Sequence, residues 1–106
     1  MQQMTPTQLR DHLETASSMP LLIDVREPWE FDICAIDNSI LIPMGQIPAK
    51  IDTLNPDQEI VVICHHGIRS ANVCRYLEHL GFDQMINLAG GVDAWAKDVD
   101  IDMAVY

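Results

Sequence analysis

Apolar positions along this chain recur with two periods. Leu9 and Leu13 stand at helical spacing behind Thr5-Pro6-Thr7-Gln8, a segment with an N-cap threonine, a proline at the first helical position and a glutamine placed for a capping box. This predicts a short helix from about residue 6 to about residue 15. Leu21-Leu22-Ile23-Asp24-Val25 then forms a compact apolar run after Pro20, the pattern of a strand covered on both faces of a parallel sheet. Its end is polar, at Asp24 and Arg26. Glu27-Pro28-Trp29-Glu30-Phe31 suits a brief helical turn, and Ser39-Ile40-Leu41-Ile42-Pro43 reads as a second buried strand ended by proline.

Glu59-Ile60-Val61-Val62-Ile63-Cys64 is the strongest strand pattern because β-branched residues dominate it. A loop follows, and Ser70 through Leu80 carries Val73, Leu77 and Leu80 on one helical stripe with Gly81 as a stop. Met85-Ile86-Asn87-Leu88 makes another short strand, Gly90-Gly91 a turn, and Val92 to Lys97 a last helix carrying Trp95. Alternation of strands and helices predicts an α/β domain with a central parallel sheet and helices on both faces. No repeat or linker-like stretch divides residues 1–106, so a single domain is expected.

Composition narrows the function classes. Sixteen acidic against six basic side chains give a formal charge of −10, which repels a phosphate backbone and an anionic membrane surface; neither nucleic acid nor membrane is an expected partner. The N-terminal residues lack the basic and then apolar segments of a signal peptide, so the cytoplasm is the expected location. Cys34, Cys64 and Cys74 are odd in number and lack paired metal-type spacing, which argues against a disulfide framework and a cysteine zinc site. Three adjacent ligands at Cys64, His65 and His66 do not readily surround one tetrahedral ion, and no metal or other cofactor is expected.

Cys64 is the exception among the three thiols. Ligands of open parallel sheets meet the protein beyond the carboxyl ends of the strands, and Cys64 ends the most buried strand just ahead of a helix N-terminus. Unsatisfied N–H groups there, together with Arg69 and two histidines, favour a thiolate. Cys74, beside Val73 and Leu77 on a helix, reads as ordinary packing, and Cys34 similarly. Asp24 reads as structural support paired with Arg26, Trp29 and Trp95 as fillers between helices and sheet, and His12 and His79 as residues of solvated helix faces.

Cys64-His65-His66-Gly67-Ile68-Arg69-Ser70 resembles the active-site loop of rhodanese-like sulfurtransferases, in which Cys-x-x-Gly-x-Arg-Ser is common. Asp24 to Phe31 is similar to the first signature of that family, Ile40-Leu41-Ile42-Pro43 to its next strand, and Leu88 to Trp95 to its closing segment. The resemblance implies that Cys64 carries sulfur as a persulfide and that backbone amides from His65 to Ser70 cradle the terminal sulfur. Gly67 then permits a backbone conformation closed to other residues, Arg69 attracts a thiosulfate or sulfite anion, and His65 and His66 add charge below neutral pH. Substrate contacts are thus expected from His65, His66, Gly67, Ile68, Arg69 and Ser70. Four residues separate Cys64 from Arg69, whereas the related dual-specificity phosphatases use five, so the shorter loop favours sulfur over phosphate.

The implied reaction moves sulfane sulfur from a thiosulfate-like anion to a thiol, to cyanide or to an acceptor protein. A second reading keeps the fold but makes the chain a partner-specific sulfur carrier or a redox-sensing module. Where relatives often carry a histidine before an Ile-x-Gly-Ala segment, this chain has Cys34-Ala35-Ile36-Asp37-Asn38-Ser39, with Ala35 in that histidine's place. Asn38 replaces the usual glycine of that turn, and asparagine tolerates left-handed backbone angles better than most residues.

Overall fold

The computed structural model describes residues 1–106. At its centre is β4 (Ile60–Ile63), whose four residues are all buried because the sheet is covered on both faces. It pairs with β2 (Leu21–Asp24) on one side and β5 (Met85–Leu88) on the other. β3 (Ile40–Leu41) extends the sheet beyond β2, and β1 (Gln2–Met4) extends it beyond β5. The order is β1-β5-β4-β2-β3 and every pairing is parallel, so all the strands end on one edge. Asp24 lies opposite Ile63, which brings the polar end of β2 beside the residue preceding Cys64.

Alternation along β4 divides the core. Ile60, Val62 and Cys64 belong to a cluster with Ile47 of α3 (Ile47–Lys50) and with Val73, Cys74 and Leu77 of α4 (Ile68–His79). Val61 and Ile63 belong to the opposite cluster with Leu9 of α1 (Pro6–Thr15) and with Val92 and Trp95 of α5 (Gly91–Asp98). Each fully buried aliphatic side chain contributes on the order of 2 kcal/mol of transfer free energy to this arrangement. α1 begins as the sequence predicts: the Thr5 side chain accepts from Gln8 N–H and the Gln8 side chain accepts from Thr5 N–H.

The structure corrects several sequence expectations. The segment 39–43 is not a buried strand: only Ile40 and Leu41 pair, at the sheet edge, and Ile40 is exposed. β1 was invisible to periodicity because Gln2 and Gln3 are polar and edge positions need no apolar partner on both faces. The helix after the Cys64 loop starts at Ile68 rather than Ser70. Trp95 is buried as expected, whereas Trp29, on the short helix α2 (Pro28–Ile33), is 60% exposed and fills no gap. His12 is half-buried and bonds to Glu59 rather than facing solvent. Asn38 does adopt a left-handed conformation, with φ 68°.

Candidate active site

β4 ends at Ile63, and Cys64 opens the loop into α4. Its Sγ accepts from the N–H groups of Gly67 at 3.1 Å and Ser70 at 3.4 Å, and lies 3.3 Å from Ser70 Oγ. Two amides of the segment His65–Ser70 thus converge on the cysteine sulfur itself, one of them from the first turn of α4, where N–H groups have no intrahelical acceptor. Gly67 makes the turn with φ 94°. A Cβ at Gly67 would lie 3.0 Å from Gly90 N and 3.2 Å from Leu88 O, so backbone from the closing segment packs directly on the loop.

That closing segment also satisfies the loop's carbonyls. Val92 N–H donates to Cys64 O at 2.9 Å and Asp93 N–H to His65 O at 3.1 Å, so the first amides of α5 hold the loop from behind. A side chain at Gly91 would overlap the carbonyls of Cys64 and His65. The Gly90-Gly91 pair is therefore part of the loop's support as well as a turn.

A second layer is ionic. Asp24 and Arg26 form a fully buried pair, with Arg26 Nη2 2.7 Å from Asp24 Oδ2 and Nε 2.9 Å from Oδ1. Arg26 also donates to the Tyr106 hydroxyl at 2.9 Å and to Cys34 O at 2.6 Å. Burial disfavours the Arg26 charge, but the bonds to Asp24 and Tyr106 outweigh it and its pKa is raised overall. The expected structural pairing of Asp24 with Arg26 is what the structure contains.

Arg69, expected to attract the donor anion, has a partner that the sequence did not indicate: its guanidinium binds the Glu30 carboxylate at two points, Nη1 to Oε1 at 2.7 Å and Nη2 to Oε2 at 2.8 Å. The Arg69 bond, aided by Glu27 N–H and the Tyr106 hydroxyl, holds Glu30 down to about 2, against the opposing effect of burial. Glu30 in turn raises the pKa of Arg69. Tyr106 donates to Glu30 Oε2 at 2.8 Å, and its ring stacks on His65 with centroids 3.8 Å apart. Burial, chiefly, pushes the Tyr106 hydroxyl up to about 12.

Burial, then the neighbouring His66, lowers the pKa of His65 from the ordinary histidine value, which works against the charge expected of it below neutral pH. Ile68 stands at the lip of the loop, 73% exposed. Ser70 is buried and donates to Asn87 Oδ1. Cys74 is buried with its thiol pushed up to about 12 by desolvation, in keeping with a packing role. Asp93 joins His65 and His66, with ligand atoms all within 4.8 Å of one another. These three are one short of a closed tetrahedral shell, and Asp93 is engaged by Lys97 at 3.1 Å.

Sequence reasoning missed Glu30, Asn87 and Tyr106 as members of this assembly. Glu30 lies inside a stretch already singled out, and Asn87 is a polar residue inside an apolar strand, which is itself a detectable signal. Tyr106 carries no local pattern; its role arises from contact with residues about eighty positions earlier.

A parallel α/β sheet with a cysteine loop at the carboxyl edge, the helix after it tied to α2 by the Glu30–Arg69 pair and a buried Asp24–Arg26 pair at the end of the neighbouring strand, defines a class of thiol-centred domain. The chain belongs to the rhodanese family: the model of the rhodanese-like domain matches residues 5–98. It is 44% identical over 87 residues to the putative sulfurtransferase YtwF of Bacillus subtilis, covering 82% of both proteins. It is 39% identical over 104 residues to the probable adenylyltransferase/sulfurtransferase MoeZ of Mycobacterium tuberculosis, covering 96% of this chain but 26% of that protein; the chain spans about a quarter of MoeZ. Among solved structures, a rhodanese-like domain protein from Staphylococcus aureus superposes with a TM-score of 0.84 at 33% identity, over 100% of this chain and 99% of the other. No helix is long and apolar enough to cross a membrane.

Proposed function

We propose that this chain is a sulfurtransferase in which Cys64 carries the transferred sulfur as a persulfide. The Cys64 thiolate attacks the outer sulfur of a thiosulfate-like donor; the donor's S–S bond breaks and sulfite leaves with the bonding pair. An acceptor thiolate or cyanide then attacks the outer sulfur of the persulfide, and the Cys64 thiolate is the leaving group. The observation that carries this reading is the convergence of the Gly67 and Ser70 N–H groups on Sγ at the start of α4, a preorganised site for negative sulfur.

Arg69 contributes through Glu30. With two of its nitrogens committed to a carboxylate, it fixes α2 against α4 and offers the donor a partly neutralised cation rather than a free fork. The donor is a small sulfane anion and the acceptor a thiol, cyanide or a protein; the net charge of −10 disfavours nucleic acid and anionic membranes. Three free thiols suit a reducing compartment such as the cytoplasm.

A second reading, a carrier that delivers sulfur to one protein, draws on the 1% exposure of Cys64 and on an apolar groove of about 240 Å³ lined by Met44, Ile47, Val73 and Tyr76. Initial rates of thiocyanate formation from thiosulfate and cyanide separate the two. The sulfurtransferase reading predicts ping-pong kinetics that vanish in Cys64→Ser. A persulfide that forms but that neither cyanide nor small thiols discharge would favour the carrier, and activity retained in Cys64→Ser would overturn both.

A further inference from the structure

Asn87 is a polar side chain, 2% exposed, in the middle of β5. Its amide orientation is fixed by chemistry: Nδ2 faces the Gly67 carbonyl at 3.1 Å and Gln3 Oε1 at 2.9 Å, and a backbone carbonyl can only accept. Both amide protons are thereby used, and Oδ1 points at Ser70 Oγ. Since Oδ1 is also acceptor-only, the single hydroxyl proton of Ser70 must go to Asn87. What Ser70 presents to Cys64 Sγ, at 3.3 Å, is a lone pair.

We propose that Asn87 is a positioning residue that holds Ser70 as a hydrogen-bond acceptor toward Cys64, and so disfavours the bare thiolate relative to the thiol and the persulfide. As a thiol, Cys64 accepts from the Gly67 and Ser70 amides and donates its proton to Ser70 Oγ, leaving every group paired. As a persulfide, Sγ has no proton, the negative charge sits on the outer sulfur, and Ser70 keeps its bond to Asn87. Only the discharged thiolate conflicts with the network. Negative sulfur faces a lone pair unless the Ser70 hydroxyl rotates, and rotation leaves Asn87 Oδ1 buried without a donor. The consequence is retention: the two amides still stabilise negative sulfur, but sulfite returning to the persulfide, or a poor acceptor, must expel a thiolate denied the further hydrogen bond that a free Ser70 hydroxyl would give.

This rests on Cys64 being the sulfur carrier, and a coupled pair of variants tests it. The rate of Cys64 alkylation by iodoacetamide at pH 7, followed by peptide mass, is measured for the wild type, Asn87→Leu, Ser70→Ala and the double variant. Asn87→Leu frees the Ser70 hydroxyl to donate to the thiolate and raises the rate about threefold, the share of one hydrogen bond that survives the accompanying loss of nucleophilicity. That rise requires Ser70 and disappears when Ser70→Ala is the background. A rise that persists in the double variant reports only a loosened loop and overturns the proposal.

Ser70→Ala alone keeps the proposal falsifiable if Asn87→Leu does not fold. Removal of the facing lone pair raises alkylation about twofold, whereas a fall means that Ser70 donates to the thiolate and the proposal is wrong. The functional readout is the fraction of Cys64 loaded at a fixed thiosulfate-to-sulfite ratio, which drops in Asn87→Leu and is overturned by an unchanged or higher fraction. If the wild type never loads sulfur, the sulfurtransferase reading fails, while the alkylation cycle still decides what Asn87 does.

Discussion

The two edges of the sheet are built on opposite terms. At the carboxyl edge lie all the buried polar and charged residues of the chain, Asp24, Arg26, Glu30, Ser70 and Asn87, and no buried side-chain nitrogen or oxygen lacks a partner. At the amino edge the cavities are larger: about 330 Å³ beside His12, Asp57 and Glu59, and about 470 Å³ beside Glu59, Glu78 and Asp83. The polar groups there are half-exposed, as in the His12–Glu59 pair. Cavity size therefore does not mark the chemistry in this fold. Desolvated, mutually satisfied charge marks the proposed site instead, because a field that is to act on sulfur must be fixed before a donor arrives.

The largest effect should come from breaking the buried pair. Arg26→Ala leaves the Asp24 carboxylate buried without its cation, and the expected loss is about 3–5 kcal/mol of unfolding free energy, read from denaturant titration. A loss under ~1 kcal/mol would erase the distinction between the edges, since that is the range of an exposed pair. Next comes Glu30→Gln. The carboxyl of Glu30 is lowered from 4.5 to about 2 in the folded chain, so it stabilises above its unfolded value and that stability is lost as pH falls through this window. Wild type should therefore exceed Glu30→Gln by ~2 kcal/mol near neutrality, with the gap closing toward pH 2. A gap independent of pH would show that the Glu30–Arg69 pair is not its source.

Tyr106→Phe is expected to cost about 1–2 kcal/mol, because it removes the hydroxyl shared by Arg26 and Glu30 while keeping the ring over His65. Thermal melts that do not separate it from wild type would exclude Tyr106 from the network. The smallest effect belongs to the amino edge: His12→Ala should change stability by less than ~1 kcal/mol and leave sulfur transfer untouched. A larger loss there would break the comparison from the other side.

The sequence disclosed most of what depends on neighbours along the chain. The buried strands at 21–24, 60–63 and 85–88, the capped first helix and the cysteine loop all have local causes, namely apolar runs, a capping box and a glycine forced into a left-handed turn. The edge strand β1 escaped because pairing on one side leaves composition free, and segment 39–43 was only partly legible: Ile40 and Leu41 pair at the sheet edge with Ile40 exposed, while Ile42 turns into the core without pairing. Arg69 stands out in the sequence beside the cysteine loop, but its partner Glu30 does not. An ion pair across thirty-nine positions is written in the packing of α2 on α4, and the same is true of Tyr106 against Arg26 and of Ser70 against Asn87.

The central claim is that Cys64, alone among the three thiols, holds a transferable sulfur. Intact-protein mass spectrometry after incubation with thiosulfate and removal of excess donor tests it most directly. The account predicts a gain of one sulfur atom in the wild type and in the Cys34→Ser and Cys74→Ser variants, reversed by cyanide and absent in Cys64→Ser. No gain in the wild type, or a gain that survives Cys64→Ser, would contradict it.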